Sequence, residues 1–145
     1  MIGLIQRVRS AHVDIADQRV AEIGPGLLVL VCAVPDDTPA RAQRLAERIL
    51  AYRVFNDDAG RMNVGAMAAE RAVLAVPQFT LAADTRSGNR PGFSSACPPE
   101  RAAGLFDDFV AALGQRHSPI ATGHFGADMQ VGLINDGPVT FWLES

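Results

Sequence analysis

The sequence predicts an α+β fold in which two amphipathic helices pack on one curved, largely antiparallel β-sheet or barrel. Val and Ile alternate roughly through the start and the end of the chain, which is typical of strands. Two inner segments repeat apolar residues at spacings of three and four, which is typical of helices with one buried face. Because a chain of 145 residues is of ordinary single-domain size, we expect one domain over residues 1–145.

The N-terminal part is predicted to form three strands. Residues 2–15 and 19–23 are the first two, and a turn at Gly24-Pro25-Gly26 leads into the third, residues 27–34. The third run is apolar on both faces, which is typical of a central strand. We interpret Gly24 and Gly26 as residues of a hairpin turn rather than of a phosphate-binding loop, because no helix follows them.

Both helices are predicted from their apolar faces. Thr38 and Pro39 indicate the start of the first, with a hydroxyl N-cap and proline at the first helical position. Its predicted buried face consists of Ala42, Leu45, Ala46, Ile49 and Leu50. The second is expected to start near Pro99, and its buried face consists of Ala102, Leu105, Phe106, Phe109, Val110 and Leu113.

The segments between and after the helices are predicted from turn residues and alternation. A turn at residues 56–60, a strand at 71–76 and a polar loop at 84–91 separate the helices. Strands are expected at 120–124, 129–134 and 139–143. From the local pattern alone, Gly137-Pro138 is a hairpin turn, because Gly supplies an unusual φ and Pro fixes the next one.

Composition excludes several functions. The net charge of −3 argues against a protein that coats DNA or RNA through broad phosphate neutralisation. All 13 basic residues are Arg, so chemistry that requires a lysine is excluded. The longest apolar run, residues 27–34, is too short for a bilayer, and the N-terminus lacks the features of a signal peptide. We expect a cytoplasmic protein without membrane contact.

The sequence lacks the usual patterns of catalytic side chains in hydrolases. No GxSxG elbow occurs, and the adjacent carboxylates do not face each other across a substrate. Cys32 is assigned to the core, and Cys97 has no base near it in sequence. The three histidines have no metal-ligand spacing, so we expect no metal and no cofactor. The chain is then a binding module, or its catalysis uses main-chain groups and hydroxyls of the substrate.

Eight segments carry a resemblance to a known family. They are Gln6-Arg7-Val8, Gly24-x-Gly26-Leu27-Leu28-Val29-Leu30-Val31, Arg53-x-Phe55, Gly60-x-Met62-Asn63, Gln78-Phe79-Thr80-Leu81, Asn89-Arg90-Pro91-x-Phe93, Thr122-Gly123-x-Phe125-x-Ala127-Asp128-Met129 and Asn135-x-Gly137-Pro138-Val139-Thr140. In order, separation and overall length the chain resembles the D-aminoacyl-tRNA deacylases, or D-tyrosyl-tRNA(Tyr) deacylases.

The resemblance implies an ester hydrolase that removes D-amino acids from tRNA as chiral proofreading, and also glycine mischarged on tRNA(Ala). It implies a homodimer with active sites at the interface. The Gly137-Pro138 peptide would be cis, and its carbonyl oxygens would enter the partner's amino-acid pocket and leave no space for an L side chain. Arg7 would hold this segment, with Asn135 and Thr140 in supporting positions.

The resemblance also implies where the chemistry lies. Gln78, Phe79 and Thr80 match the catalytic segment, in which main-chain groups around Phe79 and Thr80 would stabilise the oxyanion while the ribose 2′-hydroxyl of the substrate assists attack. Phe125 and Met129 match positions that line the adenosine pocket, where we expect stacking on the aromatic ring.

One departure and two alternatives accompany this assignment. Where the family usually has Ser, this chain has Pro77, which removes a backbone donor and a hydroxyl. A relative with a trans Gly-Pro peptide would accept small L-residues. A non-catalytic RNA- or protein-binding module is favoured only by Pro77. Arg86 and Arg90 are candidates for phosphate contact, and a solvated loop fits them equally well.

Overall fold

The computed structural model describes residues 1–94 and 96–145, which form eight strands, two α-helices and one short 3₁₀ helix. In chain order the elements are β1 (Ile2–Ile15), β2 (Gln18–Ile23), β3 (Gly26–Cys32), α1 (Pro39–Ala51), β4 (Phe55–Asn56), β5 (Met62–Val64), β6 (Ala72–Pro77), the 3₁₀ helix (Phe79–Ala82), α2 (Pro99–Gly114), β7 (Ile120–Thr122) and β8 (Gln130–Glu144). Neither helix in the described ranges is long and apolar enough to cross a bilayer.

The strand β1 lies at the centre of the antiparallel half of the sheet. Along one edge it pairs first with β3 and then with β2, and along the other edge it pairs with β8 over almost its whole length. The parallel half continues from β3 through β6 to β7. Parallel neighbours need long crossovers, and α1 and α2 lie in these two connections. The predicted fold class is confirmed, although the sequence pattern did not separate the two halves.

Both Gly-Pro turns predicted from the sequence are wrong, because the chain does not reverse direction at either. The strands β2 and β3, on either side of Gly24-Pro25, both run antiparallel to β1 and so point the same way. The strand β8 continues through Gly137-Pro138, and its register against β1 shifts there. Extra residues in one strand of a pair form a bulge, which bends the strand without ending it.

The glycine of the first break is required by a close approach. A Cβ on Gly26 would lie 2.1 Å from the carbonyl oxygen of Ala72 in the neighbouring strand. The chain does reverse between β1 and β2, where Ala16 and Asp17 have φ values of 49° and 61°. These values are those of a tight hairpin turn.

The strands β3 and β6 are buried on both faces, which explains their continuous apolar runs. Leu27, Val29 and Val73 belong to the core shared with the helices, and the alternate residues Leu28 and Leu74 belong to a second core inside the curl of the sheet. The predicted face of α1 is confirmed in full, and that of α2 is confirmed except that Val110 is only partly buried. Cys32 is buried as predicted.

Candidate active site

A pocket of about 570 Å³ opens where the strand β6 ends. It contains four of the residues that the sequence analysis assigned to the site, namely Gln78, Phe79, Phe125 and Met129. Most of its other lining groups are apolar: Val76, Pro77, Phe93, Ala96, Cys97, Pro98, Pro99, Ala102, Gly126, Ala127 and Val131. A concave, mostly apolar pocket with few polar groups is the common form of a small-molecule site.

The segment from Gln78 to Thr80 presents main-chain groups rather than a side-chain nucleophile. The N–H of Gln78 donates to the Val31 carbonyl at 2.7 Å, which extends the parallel pairing by one residue before the 3₁₀ helix begins. The first N–H groups of a helix have no partner within it. Among the described residues, the N–H groups of Phe79 and Thr80 have no hydrogen-bond acceptor.

The hydroxyl of Thr80 has no base beside it in the described part of the chain. Its Oγ1 accepts a hydrogen bond from the Gln78 side-chain amide at 2.5 Å, and an amide does not take up a proton. An activated hydroxyl nucleophile needs an adjacent general base. What this segment can supply chemically is therefore hydrogen-bond donation from its main chain.

Two buried thiols lie near the pocket: Cys97 lines it, and Cys32 contacts the main chain of Phe79. The Cys32 thiol donates to the Phe79 carbonyl oxygen at 3.5 Å, and burial raises its pKa to about 11, so it is a neutral donor at physiological pH. Burial also raises the pKa of Cys97, which lines the pocket wall. Reactive cysteines have lowered pKa values, so neither thiol has the properties of a nucleophile.

The sequence analysis missed the second aromatic wall of the pocket. Phe93 packs against the half-exposed Phe79 with ring centroids 5.1 Å apart and planes inclined at 53°. The segment that contains Phe93 contributed to the family resemblance, but no role was assigned to it. An exposed aromatic in a polar loop was the available signal, because such a side chain is otherwise better buried.

The Gly137-Pro138 segment lies outside this pocket, on a bulge of β8. Its peptide bond is cis, and both residues are exposed. The Asn135 side chain joins the two ends of the bulge, because its Oδ1 accepts from Val139 N at 2.8 Å and its Nδ2 donates to the Val139 carbonyl and to Thr140 Oγ1, each at 3.2 Å. A Cβ on Gly137 would lie 2.2 Å from Val139 N, so only glycine fits there.

Arg7 fastens the bulge to the body of the protein. Its Nε donates to the Asp136 carbonyl oxygen at 2.8 Å, and its Nη1 donates to the Val54 carbonyl oxygen at 2.6 Å. The side chain is only 13% exposed, and a guanidinium fork held at both ends has little freedom. The structure therefore places Arg7, Asn135 and Thr140 together around Gly137 and Pro138.

The two arginines proposed for phosphate contact differ in their surroundings. Arg86 forms a two-pronged ion pair with Asp84 at 2.7 and 2.9 Å, and this pair lowers the pKa of the Asp84 carboxyl. Arg90 lies exposed on the same loop, which is closed by a β-bridge between Asp84 and Gly92. Residues 1–94 and 96–145 contain no cluster of His, Cys, Asp and Glu suited to a metal ion.

Residues 4–144 match the family model described as D-Tyr-tRNA(Tyr) deacylase. A D-aminoacyl-tRNA deacylase of Herminiimonas arsenicoxydans is 58% identical over 144 residues, which cover 99% of this chain and 97% of that protein. The chain belongs to this family. It is therefore an enzyme, a deacylase and thus a hydrolase, rather than a module that only binds.

Two solved structures are also similar to this deacylase. One, described as c-Myc DNA Unwinding Element Binding Protein, is 38% identical with a TM-score of 0.95, covering 100% of this chain and 99% of that one. The other, described as a probable eukaryotic D-amino acid tRNA deacylase, has a TM-score of 0.85 at 16% identity, covering 99% and 98%. At that identity the second likeness shows the fold alone.

Proposed function

We propose that this chain hydrolyses the ester bond of D-aminoacyl-tRNA, and of glycyl-tRNA mischarged on tRNA(Ala), and spares L-aminoacyl-tRNA. The observation that carries the proposal is the apolar pocket lined by Phe79, a residue whose main-chain N–H, like that of the adjacent Thr80, has no acceptor among the described residues. A volume of about 570 Å³ is in the range of pockets that hold drug-sized ligands, and an aminoacyl-adenosine is of that size. Because aminoacyl-tRNA is a substrate found in the cytoplasm, we propose that the protein acts there.

The terminal adenosine binds between the aromatic and thioether groups of the pocket. Phe125 is 38% exposed, and both Phe125 and Met129 line the pocket. Stacking of a base on an aromatic ring is sequence-tolerant and is worth about 1–3 kcal/mol. No broad basic surface is needed to hold one nucleoside, which agrees with a net charge of −3, and we propose no DNA-binding role.

The N–H groups of Phe79 and Thr80 stabilise the negative charge that develops on the ester carbonyl oxygen. A donor fixed by the backbone needs no rearrangement during the reaction, and losing one such donor costs about 100- to 1000-fold in rate. The ribose 2′-hydroxyl of the substrate assists the attack, since the segment offers no side-chain base. Gln78 orients Thr80 through the side-chain hydrogen bond between them.

Gly137 and Pro138 exclude L side chains from the amino-acid end of the pocket of a second subunit. They are exposed on a bulge held by Arg7 and Asn135, and they do not line the pocket of their own chain. A gate of carbonyl oxygens clashes with any L side chain whatever its identity, and glycine has none to clash. The homodimer is further supported by the exposed apolar side chains of Ile134 and Trp142 on the same strand, at 59% and 48%.

Two experiments test this function. Purified protein should release D-tyrosine from D-Tyr-tRNA and glycine from Gly-tRNA(Ala), and leave L-Tyr-tRNA intact; absence of D-tyrosine release would reject it. For the shared site, Phe125→Ala protein should be mixed with Gly137→Ala protein. A mixed dimer contains one site with an intact pocket and an intact gate, so selective activity should recover. If it does not recover although mixed dimers form, each site lies within one chain.

A further inference from the structure

The hairpin formed by β4 and β5 contacts the Gly-Pro bulge only through Arg7, as far as the hydrogen bonds of the described residues show. Arg7 Nη1 donates to two acceptors at the start of this hairpin. One is the Val54 carbonyl at 2.6 Å, and the other is Asn56 Oδ1 at 3.4 Å. On its other side, Arg7 Nε reaches the carbonyl of Asp136, the residue before Gly137. The guanidinium thus spans from the hairpin to the bulge.

The hairpin is anchored at both ends, in the core at its start and by hydrogen bonds at its turn. Val54 is 1% exposed, and the neighbouring Phe55 is buried in the main core. At the turn, Asp57 Oδ1 accepts from the N–H groups of Ala59 and Arg61 at 3.0 and 2.9 Å, and Asp57 N donates to the Arg61 carbonyl at 2.8 Å. Asn56 lies between the buried residues and this turn. Its backbone is therefore held on both sides, and its side chain starts from a defined position.

We propose that Asn56 is a positioning residue for the specificity of the enzyme. Its amide oxygen is a third acceptor of the Arg7 guanidinium, beside the Val54 and Asp136 carbonyls, and narrows the rotation that these two allow. Arg7 in turn fixes the Asp136 carbonyl and the direction in which Gly137-Pro138 projects. This inference rests on the proposed gate. Asn56 is exposed and lies outside the pocket, so it acts on selectivity through Arg7 and not on the hydrolysis itself.

The test compares single-turnover hydrolysis of D-Tyr-tRNA and L-Tyr-tRNA by the full-length protein. Asn56→Ala should lower the ratio of D to L rates by about twofold to tenfold, as expected for one hydrogen bond to a charged group at long distance. Asn56→Asp should retain or raise the ratio, because a carboxylate accepts more strongly from a guanidinium. The melting temperature should change little, since Asn56 is on the surface.

Two further variants separate positioning from a general effect on the hairpin. Asn63→Ala removes a side chain that contacts Arg53 at 3.2 Å on the same hairpin but does not contact Arg7, and it should keep the wild-type ratio. Arg7→Ala combined with Asn56→Ala should have the same ratio as Arg7→Ala alone, because Asn56 acts only through Arg7.

The outcomes distinguish this inference from the proposed function. A wild-type ratio in Asn56→Ala, an equal loss in Asn63→Ala, or additive losses in the double variant would each overturn the role of Asn56, while a lowered ratio in Arg7→Ala would leave the gate standing. A wild-type ratio in Arg7→Ala as well would remove the support for the gate itself.

Discussion

The pocket and the Gly-Pro bulge are built by opposite means. The pocket is formed mostly by apolar side chains around the end of the parallel strand β6, and the hydrogen-bond donors that we assign to its chemistry belong to the main chain. The bulge is exposed, and it keeps its shape through directed hydrogen bonds from two polar side chains, Arg7 and Asn135. Apolar contacts are many and individually weak, whereas each hydrogen bond in the bulge has a defined geometry.

This difference predicts two kinds of response to substitution. A pocket held by dispersed contacts should lose affinity gradually when one side chain is shortened. A bulge held by a few directed bonds should lose its geometry when one of them is removed, and selectivity should change more than turnover. Four substitutions test this contrast.

Gly137→Ala should have the largest effect. The added Cβ would lie 2.2 Å from Val139 N and 2.6 Å from Val139 Cγ2, which is closer than atoms in contact can approach. The backbone of the bulge must therefore shift to make room. A displacement of about an ångström costs about 100-fold where geometry decides the rate. We expect the D to L ratio of kcat/KM to fall by about that factor.

The chain offers a matched control in its other Gly-Pro pair. Gly24 also precedes a proline at a break in a strand, but a Cβ there meets nothing within 4 Å. Gly24→Ala should keep the wild-type ratio. Unchanged selectivity in Gly137→Ala, measured on folded protein, would contradict the role given to the bulge.

Asn135→Leu should destabilise the protein by about 1–3 kcal/mol, because Val139 N is left in a buried position without its acceptor. The free energy of unfolding from urea titration is the measurement. Thr140→Val removes only one of the partners of Asn135 and should cost about 1 kcal/mol or less. Equal losses in the two variants would contradict the view that the bond between Val139 N and Asn135 is the one that holds the bulge.

Phe125→Ala should raise KM for D-Tyr-tRNA roughly tenfold with a smaller change in kcat, as expected for the loss of one stacking contact. Phe125→Tyr retains the ring and should keep a KM near the wild-type value. A loss confined to kcat would show that Phe125 serves the chemical step, and the gradual response expected of the pocket would then be disproved.

The helices and strands were predicted well because buried residues recur at regular spacings along each kind of element. The faces of both helices followed from spacings of three and four, and the double-sided run at 27–34 corresponds to β3 between two cores. Gly24-Pro25 and Gly137-Pro138 were misassigned as turns, because turn residues describe local conformation only. Whether the chain reverses there depends on how the flanking segments pair with β1, and that pairing is not a local property.

The site could be predicted only in part for a similar reason. Gln78, Phe79, Phe125 and Met129 were assigned by resemblance, and the fold brings them to one pocket. Phe93 and the two prolines at the start of α2, Pro98 and Pro99, join that pocket through the path of the loop before the helix, and no periodicity describes such a path. The roles of the assigned residues in catalysis and selectivity remain predictions.

Thr80→Val should have the smallest effect, and it tests the pocket side of the comparison most directly. The substitution removes the hydroxyl that accepts from Gln78 and leaves the main chain and the side-chain volume nearly unchanged. If the main-chain donors carry the oxyanion, kcat should fall by no more than about fivefold, the cost of one exposed neutral hydrogen bond. Thr80→Ser, which retains the hydroxyl, should match the wild type.

A loss of a thousandfold or more in Thr80→Val alone would identify the hydroxyl as a reacting group. The pocket would then depend on one polar side chain as strongly as the bulge depends on Asn135, and the contrast between the two regions would fail.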